Sequence, residues 1–584
     1  MITTNKSGGK MIDRANISKA SVLTLIAFLL STTILAIEQR WSQVEVFLST
    51  SLPYLCIVAF VSLCFKVYRG LKLSILDITV ISWSIYYLVR VWIGAEYPCA
   101  TQVLKDMGML ILYISLRVIC ARHNIKSQCF TWIIVALGCY EGVIGLEQLL
   151  SGNTNHPSFI ITGTFMNPGP YSAYIMIALI LLLCEKTDLF ETIKKYSVRI
   201  QQIAIFFYWF LIFLLLIMLS ATCSRAAIVS LCIICLCIFR RQYWPGRHLV
   251  WGGAIMLAVS FYFLKQGSAE GRILTWSASL TTWLRHPWTG VGIGGFRNAC
   301  AEGIASMYEL NPANPLFAAG NVSEYAFCDI LKVLVEQGAV GTFLCLTTVA
   351  GALCYTFKWS RPLFYGLLSL LIFSLFSYPF EQYPYRVLAV TCTAIVPHQG
   401  MGLHIKGWLR KILLAITWIP VFAMSVFVSE EAARRSDIDK EARLFSGMQH
   451  AAFIKDYYEL LPEEADNPQF LFDFAKALSS EGRYNDSNAM LRHGAAVSND
   501  PMFYVLQGNN YKDMECYDHA EKAYEKAYGV MPNRLYPLYR LMLMYEETGQ
   551  TDKMKKAAKR LAQSTPKIKS PATDEMIEKA KQCL

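Results

Sequence analysis

Apolar runs of about twenty residues recur through the first three quarters of the chain and stop near residue 430. Twenty residues of helix cover the ~30 Å of a hydrocarbon core. Inside that core every backbone amide needs a partner within the protein, so a series of such runs restricts this part to packed transmembrane helices. The expected spans lie near 20–37, 48–65, 73–92, 107–120, 130–150, 171–184, 203–221, 226–239, 249–264, 339–357, 363–377, 386–396 and 412–428. The remainder is charged and helical in pattern. An all-α fold is therefore expected, with a polytopic membrane domain at 1–429 and a soluble helical domain at 430–584.

The net charge of +11 raises the question of nucleic acid, but the basic residues sit in short loops between apolar runs. Lys and Arg close to the ends of spans are retained on the cytoplasmic side. Lys66, Arg69 and Lys72; Arg117, Arg122 and Lys126; Lys186, Lys194, Lys195 and Arg199; Arg240, Arg241 and Arg247; Lys358 and Arg361; and Lys406, Arg410 and Lys411 occupy alternate loops. That pattern places the N-terminus inside and the long polar loop at 265–329 outside, together with the Gly163 region and the Ser224–Arg225 corner. An odd number of spans, about thirteen, puts 430–584 outside as well. No nucleic-acid partner is expected. The N-terminus is basic and lacks a clear cleavage site, and is read as a retained first anchor. Most of the 18 cysteines fall inside spans, as small apolar side chains, and none has zinc-site spacing.

Beyond residue 430 one window has a fixed spacing. Counted from Pro501, Tyr504, Gly508, Tyr511, Ala520, Tyr524, Ala527 and Pro532 occupy the large, small and helix-ending positions of a 34-residue tetratricopeptide repeat. The next window carries Leu538, Tyr545, Ala558, Leu561 and Pro566 in phase. A more degenerate copy begins near Pro468, and 432–461 is read as a helical cap. Such units stack to close a core and leave a concave surface suited to a protein partner.

Three outward-facing stretches place polar groups at the membrane boundary, where ionisable residues are costly and usually have a task. In GTFMNPGPY, Asn167, Pro168 and Pro170 shape a turn as the chain re-enters the bilayer. In LSATCSRAAIV, Ser224 and Arg225 stand between two apolar runs, against the charge bias of the other loops. A planar guanidinium there suits phosphate. In GRILTWSASL, Arg272 leads the aromatic-apolar set Leu274, Trp276, Leu280 and Trp283, read as an amphipathic helix on the membrane surface. HPWTGVGIGGF follows as a glycine-rich turn, with His286 as a turn or interface residue.

These motifs, followed by EYAFCDILKVLVEQGAVG, resemble in order and spacing the O-antigen ligase and polymerase superfamily, which includes the bacterial protein O-oligosaccharyltransferases. The resemblance covers roughly 130–397. It implies a GT-C-like multi-pass glycosyltransferase of the bacterial inner membrane. Such an enzyme moves a glycan from a polyprenyl (undecaprenyl) diphosphate carrier to an acceptor hydroxyl on the outer, periplasmic face, with inversion and without metal, nucleotide or other cofactor. The lipid-linked glycan is then a substrate, membrane lipid surrounds the protein, and the acceptor is a lipid or a protein. Arg225 and Arg272 become the expected diphosphate ligands, and Asn167, Ser224, His286 and Arg386 the expected substrate contacts.

The ligases carry a histidine in the segment corresponding to EYAFCDIL. This chain has Phe327, Cys328 and Asp329 there, and no histidine between Gly290 and Pro397. Glu324 or Asp329 is then the candidate acceptor base, Glu336 a structural acid, and Glu381 with Arg386 a further outward-facing pair. A repeat-unit polymerase is the nearest alternative. A transporter or flippase with an exported scaffold is the alternative of another class, although few charges lie mid-span beyond Asp77, Asp106 and Glu141.

Overall fold

A computed structural model describes residues 72–94, 108–117, 126–154, 159–239, 266–312, 314–320, 325–396, 450–465, 467–564 and 569–584, with single residues and pairs elsewhere. The expected spans at 48–65, 249–264 and 412–428, and nearly all of 20–37, lie outside the described residues, as does Asp106.

The architecture is helical apart from a two-residue antiparallel pairing of β1 (Lys72–Leu73) with β2 (Leu403–His404). Helix α1 (Ile75–Gly94) begins beside Asp77, which accepts from the Ser74 amide at 2.7 Å and the Tyr113 hydroxyl at 2.6 Å. Arg117, closing α2 (Gly108–Arg117), donates to both carboxylate oxygens at 3.0 and 3.1 Å. This apparent mid-span charge is thus a partnered structural cluster. Breaking such a pair typically costs about 3–5 kcal/mol, because the remaining charge stays buried.

Helix α3 (Ser127–Ser151) and α4 (Pro168–Cys184) pack closely: a Cβ added at Gly138 would come within 2.2 Å of the Ala178 methyl. Between them, two buried polar side chains of α3 hold the 162–164 turn. Gln148 Oε1 accepts from the Thr162 and Gly163 amides at 2.9 and 2.8 Å, and Glu141 accepts from the Thr164 amide and hydroxyl at 3.1 and 2.6 Å. Glu141 is therefore taken up by scaffold hydrogen bonds. Helix α4, buried along most of its length, is the axis of the membrane core.

A short α5 (Lys186–Ile193) leads into α6 (Val198–Ala221), which leaves Phe206 and Phe213 exposed, as a lipid-facing helix should. Helix α7 (Arg225–Phe239) follows. The polar interval then forms α8 (Gln266–Trp283) and α9 (Phe296–Leu310), whose crossing is closed by small residues: the Ala278 backbone lies 2.3 Å from where a Gly303 Cβ would stand. The expected surface-lying aromatic face of α8 is corrected. Its buried stripe is Leu274, Thr275, Ala278, Ser279 and Thr282, directed at α9, while Leu280 is exposed and the Trp276 and Trp283 indoles donate to the Ala326 and Pro287 carbonyls.

After a 3₁₀ turn (Pro315–Ala319) comes α10 (Asp329–Trp359), which continues through a kink at Gly338, where φ is 67°. Helix α11 (Arg361–Ser374), a 3₁₀ turn (Pro379–Glu381) and α12 (Tyr383–Ile395) complete this part. Three described helices are long and apolar enough to cross a membrane: α3, α6 and α10. Helices α2, α4, α7 and α11 are shorter apolar companions.

The C-terminal part comprises α13 (Ile454–Glu464), α14 (Pro468–Ser480), α15 (Tyr484–Ser498), α16 (Pro501–Asp513), α17 (Tyr517–Val530), α18 (Leu535–Glu547), α19 (Thr551–Gln563) and α20 (Pro571–Gln582). Consecutive helices pack as hairpins, with one large ring seated on one missing side chain. Gly508 faces the Tyr524 ring and Gly494 the Phe503 ring, at 2.5 and 2.0 Å from the Cβ each glycine lacks. Gly508→Val should therefore destabilise this hairpin by about 1–3 kcal/mol. Hydrogen exchange on the full chain, accelerated across 501–530 while α3 and α4 stay protected, is the check.

This region does not hang free. The Asn533 side chain donates to the Gly320 carbonyl at 2.6 Å, Tyr308 packs edge-on to Tyr528 at 5.6 Å, and Arg560 donates to the Tyr308 hydroxyl at 3.0 Å. Ala301 of α9 is part of its apolar core. The C-terminal helices and the 266–320 segment therefore occupy the same side of the membrane core.

Candidate functional site

The glycine-rich turn and the kink of α10 form one unit. Gly290, Gly292 and Gly294 all have positive φ. The Val291 and Gly292 amides donate to the Val335 and Glu336 carbonyls at 2.9 and 3.0 Å, and the Ala339 amide returns a bond to the Pro287 carbonyl at 2.8 Å. Side chains are excluded at this crossing: a Cβ on Gly290 would lie 2.5 Å from Val335 O, and one on Gly338 would lie 2.3 Å from Trp288 O. Gly338 opens the α10 helix at that point, and α1 buttresses the freed groups, with the Tyr86 hydroxyl donating to Gln337 O and Arg90 to Gly290 O.

That unit bounds a cavity of about 1430 Å³. Charged side chains of α10 and the 379–381 turn line it. Lys332 donates to Glu381 at 2.6 Å and lies 3.9 Å from Glu336, and Arg386 reaches Glu381 at 3.9 Å and donates to the Phe380 carbonyl. Asp329 accepts from the Phe380 amide at 3.3 Å. Burial works to raise the Glu381 pKa, but Lys332 and Arg386 outweigh it and hold the carboxyl below the ordinary glutamate value. His286 lies exposed at the rim.

A second polar corner lies on the far side of an aromatic partition. Tyr325 and Tyr378 stack at 4.0 Å with their planes 7° apart, and Phe327, held at φ 52°, meets Tyr378 edge-on. The Arg272 guanidinium sits 4.9 Å over the Phe327 ring and donates to the Phe376 carbonyl at 2.7 Å, while its buried Nε has no hydrogen-bond partner. Burial, then the repulsion of nearby Arg225, holds the Arg272 pKa below the ordinary arginine value. Tyr325 also lines the cavity, so the partition joins the two corners.

The residues expected from sequence thus fall into groups. Arg225 and Arg272 share the arginine corner; Asp329, Arg386 and His286 line the cavity. Ser224 precedes α7, its carbonyl accepting from the Ile228 amide at 3.1 Å. Asn167 Oδ1 is taken up by the Gly169 amide at 2.8 Å, capping α4. Glu324 lies outside the described residues. Sequence reasoning passed over Lys332, although its spacing from Asp329 and Glu336, three and four residues along one helix, puts all three on one face. It also passed over the Tyr325–Tyr378 stack, which no local spacing reveals.

Residues 210–346 match the family model described as O-antigen ligase, a stretch that holds Ser224, Arg225, Arg272, His286, Asp329 and Lys332. No curated protein matches the chain. The family match and the apolar helices together support an integral membrane protein with the glycan-transfer role of the O-antigen ligase superfamily.

Proposed function

We propose that this protein transfers a glycan from a polyprenyl diphosphate carrier to an acceptor hydroxyl at the outer face of a bacterial inner membrane, with the C-terminal helices, read as tetratricopeptide repeats, on the periplasmic side. The observation that carries this reading is the arginine corner. The charge acting most strongly on half-buried Arg272 is the like charge of Arg225, and its Nε is unpaired. A guanidinium with a donor nitrogen left over, beside a second cation, suits an anion, and a diphosphate brings that anion.

The chemistry follows from the two corners. As the bond from the anomeric carbon to the phosphate oxygen breaks, negative charge grows on the departing prenyl diphosphate, and Arg225 and Arg272 stabilise it by charge-assisted hydrogen bonds. The acceptor oxygen attacks the anomeric carbon from the cavity side, opposite the departing group, which inverts that centre. Asp329 takes the acceptor's proton, with Glu324 as the alternative base. Lys332 and Arg386 keep Glu381 ionised beside it. No metal or cofactor enters the scheme.

The test is a deletion strain. Carrier-linked glycan should accumulate, remain accessible to a membrane-impermeant lectin in spheroplasts, and be matched by loss of one mature glycoconjugate. Accumulation shielded from the lectin would instead indicate a flippase, and unchanged glycans would refute the transferase reading.

A further inference from the structure

The turn between α17 and α18 reaches back to the segment behind the arginine corner. Its Asn533, 8% exposed, donates from its side-chain nitrogen to the Ala318 carbonyl at 3.3 Å and to the Gly320 carbonyl at 2.6 Å. The last carbonyls of a helical turn have no partner within it, and an amide nitrogen with two hydrogens suits a pair of them. The carbonyl between those two, that of Ala319, lies against α8: a Cβ added at Gly271 would stand 3.1 Å from its oxygen. The Leu274 side chain lies 2.9 Å from the Cβ that Gly320 lacks. Gly271 and Leu274 flank Arg272. A second pin runs parallel to the first: Tyr308, held by Tyr528 and Arg560, packs edge-on against Phe317 at 5.5 Å, in the apolar cluster that contains Leu274.

Resting on the transferase reading, we propose that Asn533 is a positioning residue for Arg272, so that the C-terminal helices complete the diphosphate site of the membrane part. The path is short. Asn533 fixes the carbonyls at 318 and 320, the segment they belong to backs the Gly271–Leu274 turn of α8, and that turn carries Arg272. The guanidinium is held separately, by the Phe376 carbonyl and the Phe327 ring. Its backbone is thus set from the C-terminal side and its tip from the membrane side. Charge-assisted hydrogen bonds from a planar fork depend on its direction, so a shift of the α8 turn lowers diphosphate affinity and leaves the prenyl tail's contacts unchanged.

The test is a double-mutant cycle, read as undecaprenyl diphosphate binding to full-length protein in nanodiscs. Asn533→Leu fills a similar volume without the donors. It should weaken diphosphate binding about 3–10-fold, the loss of one or two hydrogen bonds, while undecaprenol binds as it does to wild type. Asn533→Gln keeps the donors and should recover part of the affinity. The deciding arm is the Arg272→Ala background, where adding Asn533→Leu should change diphosphate affinity by less than about twofold, because its effect runs through the arginine already removed. The same loss with and without Arg272 would overturn the assignment, as would wild-type diphosphate affinity in Asn533→Leu; both leave the transferase reading standing. Parallel loss of undecaprenol and diphosphate binding in Asn533→Leu would also overturn it, since Asn533 would then hold the fold at large. Wild-type diphosphate affinity in Arg272→Ala alone would refute the diphosphate site and the positioning role together.

Discussion

Replacement of Arg272 by alanine should slow glycan transfer by about 10²–10³-fold, the loss seen when one preorganised charge stabiliser is removed from a transition state. Arg272 is placed for this by the Phe327 ring beneath it and by its bond to the Phe376 carbonyl, which fixes one nitrogen and leaves Nε unpaired. Arg272→Lys keeps the charge but loses the planar fork and its stacking, so it should recover only part of the rate. Melting temperature should not fall in Arg272→Ala, since removing a cation from beside Arg225 relieves repulsion. Transfer at the wild-type rate by Arg272→Ala, assayed in purified membranes with carrier-linked glycan, would exclude the arginine corner as the diphosphate site.

The second large effect is expected at Asp329. A positioned base contributes about 10²–10⁴-fold, so Asp329→Asn, which keeps shape and the bond from the Phe380 amide, should lower the transfer rate by that factor while donor binding stays unchanged. The same measurement on Glu336→Gln separates the roles. Glu336 is held by its backbone bond to Gly292 and by Lys332 at 3.9 Å, and its loss should affect stability more than rate. A full-rate Asp329→Asn would transfer the base role to Glu324.

What the sequence revealed and what it hid follow from distance along the chain. The 501–530 hairpin was legible because its complementary pair, Gly508 and Tyr524, lies within one short window of sequence on two adjacent helices. Glu141 was visible only as a mid-span charge; its partners at 162–164 make sense of it once α3 and α4 are side by side. The helix expected at 339–357 does start after Gly338, which is non-helical at φ 67°, but a further helical stretch, 329–337, leads into that kink. Hydropathy is blind to that. The docking of the C-terminal helices on the 296–320 segment joins residues more than two hundred positions apart, such as Asn533 with Gly320 and Tyr308 with Tyr528, through single side chains with no pattern of their own. The candidate site was half legible for the same reason: Arg225, Arg272 and Asp329 stand out locally, whereas the aromatic partition exists only after folding.

The most direct test of the central claim is binding of the reaction's own leaving group. Purified wild-type protein in nanodiscs would be titrated with undecaprenyl diphosphate, alongside Arg225→Ala and Arg272→Ala. The account predicts saturable binding by wild type that weakens at least ~10-fold in each variant, with undecaprenol, which lacks the diphosphate, binding all three alike. Equal diphosphate affinity across the three proteins would contradict it.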